Sequence, residues 1–265
     1  METAPTYQTL ENTQFLAAWS IAIFLSSSYS QNSALYTTRY SKWYAGEREG
    51  LFQLLEYVTV KQELQSFFPK LSTRVHRTII DKLKQQRGSL GLNSGNHKIY
   101  YHNAPVHWIR AHSFVPYFHS DRDGQKISTQ LKPMTFEKAD SALAAAGVLC
   151  SSLFYIWWIT TSDCYHLNKR EVDGFSLGLT NENFTQEIAL ISGRLMEDMI
   201  AKSRRRVYVY RTSGRVEYDE FYLKESKSII DDIDRVLAKH YDFTDEELDF
   251  IINYDIKYRM GLGSH

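Results

Sequence analysis

Two sets of side chains have the types and spacing that a chemical site would use. His102, His107 and His112 recur every five residues, and imidazoles that converge could hold a transition metal. A period of five, however, sends alternate members to opposite faces of a strand, so scattered, hydrogen-bonded histidines are the plainer reading. Glu217, Asp219, Glu220 and Lys224 have the make-up of an acidic nuclease site, with carboxylates for a metal and a lysine for a phosphate. A charged hairpin face accounts for the same four residues more simply. The sequence contains no GxGxxG turn, P-loop, GxSxG, HExxH or Cys/His zinc set, so no catalytic residue, metal or cofactor is expected in this chain.

A third set is larger. Ser151 to Ile159 is an apolar, aromatic run that passes into Thr160, Thr161, Ser162, Asp163, Cys164, Tyr165, His166, Leu167 and Asn168, followed by Lys169 and Arg170. This is a buried stem with a polar tip. The tip residues suit helix capping and turns, and equally suit reading donors and acceptors on bases, with Lys169 and Arg170 on phosphates. Taken alone, capping is the simpler use. Further basic residues, Arg110, His112, Arg122, Lys126, Lys132 and Arg204 to Arg206, would hold a phosphate backbone if strands 98 to 136 lay beside the tip. For the Arg204 to Arg206 triplet, complementing a helix C-terminus is an equal alternative.

The elements that must position these groups follow from periodicity. Phe15 to Leu25 and Leu35 to Arg39 read as a hairpin with a long polar turn. Residues 42 to 56 look helical in parts, and Tyr57 to Val60 reads as a strand. Thr73 or Ser72 caps a helix running to about Arg87. Gly88 to Gly95 is a loop, Lys98 to Tyr101 and His107 to His112 are strands, and Ile127 to Phe136 is extended. The stem helix starts at 137 to 140. A second long helix spans 181 to 203, with Phe184, Ile188, Ile191, Leu195, Met196, Met199 and Ile200 on its buried side. A hairpin turns at Ser213-Gly214. Helices at Lys227 to His240 and Thr244 to about Tyr258 close the chain, the last opened by a Thr244/Glu247 capping box.

Composition sets the bounds. The chain has 265 residues, 43% of them apolar and 14% aromatic, enough for a substantial core. Its 31 Lys and Arg equal its 31 Asp and Glu, so net charge gives no argument for nucleic acid and leaves only local patches. Cys150 and Cys164 lack metal spacing, which points to a reduced, cytoplasmic protein. Phe15 to Ser28 is too short and Ser-rich for a membrane span, and Ala142 to Ile159, interrupted by Gly147, Ser151 and Ser152, reads as a core helix.

Several stretches together resemble a known family. Residues 36 to 49 (YTTRYSKWYAGERE), 98 to 104 (KIYYHNA), 151 to 171 and 244 to 260 (TDEELDFIINYDIKYRM) resemble, in this order, the C-terminal part of large adenine-specific DNA methyltransferases of the type IIG restriction–modification group, with a Taq-type target-recognition domain. The resemblance implies an α+β fold: a mixed sheet packed by long helices, with a helical C-terminal support and an N-terminal remnant hairpin. It divides the chain into the end of a methyltransferase domain plus a connector (1 to 70), a recognition domain (71 to 223) and the support (224 to 265). The family's S-adenosylmethionine-binding motif and its Asn-Pro-Pro-Tyr motif are both missing here, so that cofactor would belong to a separate catalytic domain.

The function so implied is sequence-specific recognition of double-stranded DNA for adenine methylation or restriction, without catalysis by this chain. Thr160, Thr161, Ser162, Asp163, His166 and Asn168 are then expected at or near the DNA face. Arg110, Arg122, Lys126, Lys132, Lys169 and Arg170 are the expected phosphate or base contacts. Duplex DNA and a separate methyltransferase subunit are the candidate partners. The alternative is a structural or decayed fragment that docks on such a subunit and binds no DNA by itself.

Overall fold

The computed structural model describes residues 35–41, 50, 53, 55–60, 69–212 and 214–262. The chain runs through β1 (Leu35–Thr37), β2 (Val58–Val60), α1 (Arg74–Gln85), β3 (His97–His102), β4 (Ala111–His112), β5 (Phe118–Ser120), β6 (Gly124–Gln125) and β7 (Leu131–Phe136). Then come α2 (Ala139–Cys150), α3 (Ser152–Thr161), α4 (Lys169–Asp173), α5 (Glu182–Ala201), β8 (Arg204–Tyr210), β9 (Gly214–Glu220), α6 (Lys227–His240), α7 (Asp245–Asn253) and α8 (Ile256–Met260). This is an α+β fold. In place of one mixed sheet the described strands form three antiparallel ones, in the orders β1-β2, β4-β3-β7 and β6-β5-β9-β8. The first expected strand, 15 to 25, and most of 42 to 56 lie outside the described residues.

The stem is two helices. α2 and α3 meet at Ser151 with a bend of 64°, and the bend is built by hydrogen bonding. Ser151 is extended; its hydroxyl donates to Val148 O at 2.6 Å, closing α2, and accepts from Phe154 N at 3.0 Å, opening α3. Two more N–H groups at the start of α3, those of Ser152 and Leu153, donate to the carboxylate of Asp234 on α6, both at 3.1 Å. An acidic group at a helix N-terminus meets both the unpaired donors and the positive end of the dipole. Burial pushes the Asp234 carboxyl up to about 6, while these N–H donors and the Arg259 charge pull it down.

Arg259 of α8 completes the bend from the other side. It is buried, donates to Ser152 Oγ at 3.2 Å and to His107 O at 3.2 Å, and lies between the rings of Trp108 (3.8 Å) and Tyr155 (4.7 Å). Trp108 returns a hydrogen bond to Arg259 O at 2.9 Å. A carboxylate, a hydroxyl and a guanidinium thus share the least exposed part of the chain, each held by partners as a buried charge requires.

Around this point the helices pack by ordinary rules. α3 is apolar on every side and all ten of its residues are buried, as a central helix must be. α2 is small-residue rich and lies against α5, where any side chain on Gly147 would run into Ser192. No single described helix is long and apolar enough to cross a membrane, and the bent α2–α3 pair has its apolar surface covered by the chain itself. The C-terminal helices share the core: Ile230, Ile233, Leu237, Ile251 and Tyr254 belong to the same cluster as α1, β3, α2, α3 and α5.

Three boundaries differ from expectation. α5 ends at Ala201 and leaves Ile200 53% exposed, because the helix face turns outward there. The last helix breaks at Asp255, in the left-handed region at φ 52°, so that α8 can turn Arg259 inward. The strand expected from His107 shrinks to Ala111–His112, since the backbone around His107 and Trp108 is occupied with Arg259.

Removing the central acceptor tests this arrangement. Asp234→Ala leaves two buried N–H groups without their acceptor and removes the nearby charge that offsets buried Arg259, and is expected to cost about 3–5 kcal/mol in equilibrium urea unfolding; a loss near that of a surface substitution would contradict it.

Candidate nucleic-acid interface

At the stem tip, folding has already used the polar groups. The Thr160 hydroxyl is buried; it donates to Ile156 O at 2.7 Å and accepts from His76 Nε2 at 2.8 Å. That donor order makes His76 the Nε2–H form, with Nδ1 accepting from Ser72 N at 3.2 Å. Thr161 Oγ1 donates to Trp157 O at 2.8 Å, and Ser162 Oγ accepts from Cys164 N at 2.9 Å. Lys70 supplies a cation to the C-terminus of α3, its Nζ donating to Ser162 O at 2.6 Å and its backbone N to Thr160 O at 3.0 Å. The expectation that Thr160, Thr161 and Ser162 face DNA is therefore corrected: they are buried and finish the helix, the commoner use of such residues.

The loop beyond is exposed but also self-satisfied. Asp163 accepts from Tyr165 N (2.9 Å) and His166 N (3.0 Å), and His166 O accepts from Trp158 Nε1 at 3.0 Å. Asn168 opens α4, its backbone N donating to Glu171 Oε2 at 2.9 Å. Lys169 and Arg170 are 71% and 74% exposed and pair with Asp173 and Glu171. The loop does lie beside the strands, as the phosphate-binding expectation requires: Leu167 N donates to Asn103 O, and Asn103 N to Gln130 O, both at 2.9 Å. Lys132, exposed with its Nζ on Thr129 O at 3.0 Å, belongs to this neighbourhood.

Arg110, Arg122 and Lys126 fall elsewhere. Arg110 is partly buried, with burial lowering its pKa and the charge of Glu220 opposing that shift, so it lies toward β9 and away from the loop neighbourhood. Arg122 and Lys126 flank the β5–β6 turn, where Lys126 pairs with Asp123 and Arg122 is 73% exposed with only a 3.9 Å approach to Asp123. This turn adjoins the β8–β9 turn, since Asp121 accepts from Arg215 N at 2.8 Å. Arg122 and Arg211 therefore sit at the same end of the four-stranded sheet. Arg211 has no carboxylate in ion-pair range among the described residues.

The two chemical sets read from the sequence dissolve on this sheet and its neighbour. Glu217, Asp219 and Glu220 each pair with an arginine, Arg215 (2.7 Å), Arg205 (2.6 Å) and Arg206 (2.7 Å), and Lys224 is exposed. Arg204 pairs with Glu225, so the triplet neither caps a helix nor stands free. The three histidines do not converge; no group of metal-binding side chains occurs among the described residues. Burial, then the nearby Arg110 charge, pushes His102 down to about 4 and His112 down to about 3.

What sequence reading missed is the aromatic interleaving of the arginines. Tyr208 lies 6.2 Å from Tyr210 and stacks on Tyr218 at 6.0 Å, Arg205 covers the Tyr117 ring at 3.7 Å, and Arg204 the Tyr222 ring at 4.6 Å. The alternation Arg206, Tyr208, Tyr210 on one side of a strand was the available signal. Comparison with protein-family models, with curated proteins and with solved structures finds no match to this chain.

Thr160→Val separates the two uses of the tip: it should lower unfolding free energy by about 1–3 kcal/mol, because His76 loses its acceptor, with no separate effect on any DNA affinity. For His112, the folded pKa of about 3 lies below an unfolded value near 6.5. Its contribution is therefore full above that value and falls as pH drops. At pH 5 the wild type is expected to have lost about 2 kcal/mol more than His112→Phe, relative to pH 8, in urea titrations.

Proposed function

We propose that this chain is the target-recognition part of an adenine-specific DNA methylation or restriction system: it holds duplex DNA while a separate catalytic domain, which would bind S-adenosylmethionine, carries out the transfer. One observation carries the reading. The described parts of the stretches that resemble the methyltransferase family, spread from 36 to 260, meet in space. Arg39 forms an ion pair with Asp255, Leu167 bonds to Asn103, and Arg259 bonds to Ser152. A chance likeness has no reason to fall on residues that touch, whereas a shared frame does.

On this reading the frame positions the DNA surface and is not itself that surface. The segments outside it that carry β5 and β6 (118–125) and β8 and β9 (204–220) build the four-stranded sheet with its paired turns, Arg122 and Arg211 leading. A two-stranded ribbon of this kind fits a major groove, and the stacked Arg and Tyr side chains suit backbone and base contacts. Lys132, Lys169 and Arg170 lie at the second, loop-side neighbourhood, the last two exchanging carboxylate partners for phosphates.

A second reading, docking on a methyltransferase subunit without DNA binding, is favoured by the ion pairs of most candidate cations and by the zero net charge. Gel-shift titration of the purified chain on random duplex against salt discriminates between them. Recognition predicts binding that weakens steeply with salt, and Arg122→Ala with Arg211→Ala lowering the log–log slope by about 1 each. No binding at about 50 mM salt would favour docking.

A further inference from the structure

β8 is an edge strand: β9 is its only sheet neighbour among the described residues. Seven residues long, it presents Val207, Tyr208, Val209 and Tyr210 exposed in succession, Val209 at 80%. An edge with free backbone groups and a run of apolar side chains is a pairing surface unless something blunts it. Neither a proline nor a β-bulge does so here.

The order of residues along this edge selects its occupant. From the N-terminal end β8 reads Arg204, Arg205, Arg206, Val207, Tyr208, Val209, Tyr210, with Arg211 next. Parallel pairing with a second copy would set each arginine beside its equivalent. Antiparallel pairing about a two-fold axis keeps even positions opposite even ones, so the register centres on a residue. Centring on Arg206 puts that arginine against itself, and centring on Tyr208 puts Arg205 against Arg211. Centring on Val207 pairs Arg204 with Tyr210, Arg205 with Val209 and Arg206 with Tyr208, so no arginine faces another, two arginines lie against tyrosine rings and the whole strand is paired, whereas centring on Val209 pairs only residues 208 to 210 of the strand. Cross-strand pairs of this type stabilise a sheet, and like charges directly opposite destabilise it.

The charges do not oppose this register either. Arg204, Arg205 and Arg206 are already neutralised within their own chain by Glu225, Asp219 and Glu220. Apart from Arg211, which lies beyond the strand, two copies therefore approach as nearly neutral edges, each offering exposed valine and tyrosine. We infer that β8 is the seam of a two-fold homodimer, in which the four-stranded sheets of two copies join through Val207 into one eight-stranded antiparallel sheet. The inference needs no DNA and stands apart from the recognition reading.

Sedimentation velocity on the full chain, without DNA and over a concentration series, reads the assembly. The wild type should show a reversible monomer–dimer equilibrium. Val207→Lys should shift it to monomer, since the new lysine faces its own equivalent across the axis, while within the chain it meets Glu217 and leaves the fold intact. A second pair of variants tests the register. Oxidised with copper phenanthroline, Val207→Cys should form a disulfide-linked dimer above the wild-type background. Val209→Cys should not, because position 209 lies about 13 Å along the strand from its equivalent. A wild type that is monomeric at every concentration, a dimer unaffected by Val207→Lys, or equal cross-linking at 207 and 209 would each overturn the inference.

Discussion

The chain turns on a single anion. The Asp234 carboxylate, buried and aimed at the first N–H groups of α3, makes a helix start possible in the middle of the core, where water cannot satisfy it. That start permits the 64° bend between α2 and α3, and the bend directs α2 at α5 and β3 while α3 points at α1 and α7. Arg259 answers the carboxylate through Ser152 and fixes α8, and with it the Trp108 segment, to the same spot. Segments far apart in sequence are thus held by a few charge-assisted bonds, the kind with the most specific geometry.

Much of the fold was legible because local signals agreed with the tertiary outcome. α1 is capped by Thr73 and α6 runs over Lys227–His240, as helical spacing predicts, and the Thr244/Glu247 box forms with both of its bonds. What periodicity could not show was the bend: an apolar run with two serines reads as one stem, and the group that breaks it, Asp234, comes from a helix some eighty residues on. The three-sheet arrangement was hidden for a related reason. β4, β5 and β6 are two or three residues long, too short for alternation to register, and are strands only because a neighbour supplies the ladder.

The candidate site shows the same division. Thr160, Thr161 and Ser162 have the side chains of base readers, and sequence alone cannot say that His76, Trp157 and Cys164 reach them first. Loop cations such as Lys169 carry no mark of their ion pairs. Residues such as Ser152, Thr160 and Arg259 are bound inside the core by many contacts at once, whereas β8 and β9, with Arg205 on Tyr117 and Tyr208 on Tyr218, present side chains outward and are under fewer constraints from packing.

The central claim is that the stem is a scaffold and that the four-stranded sheet meets the partner. Hydrogen–deuterium exchange of the chain, with and without a saturating random duplex, tests it most directly. The account predicts new protection in peptides covering 118–126 and 204–215, with α3 already protected and unchanged. Protection confined to 160–170, or none anywhere on the chain, would contradict it.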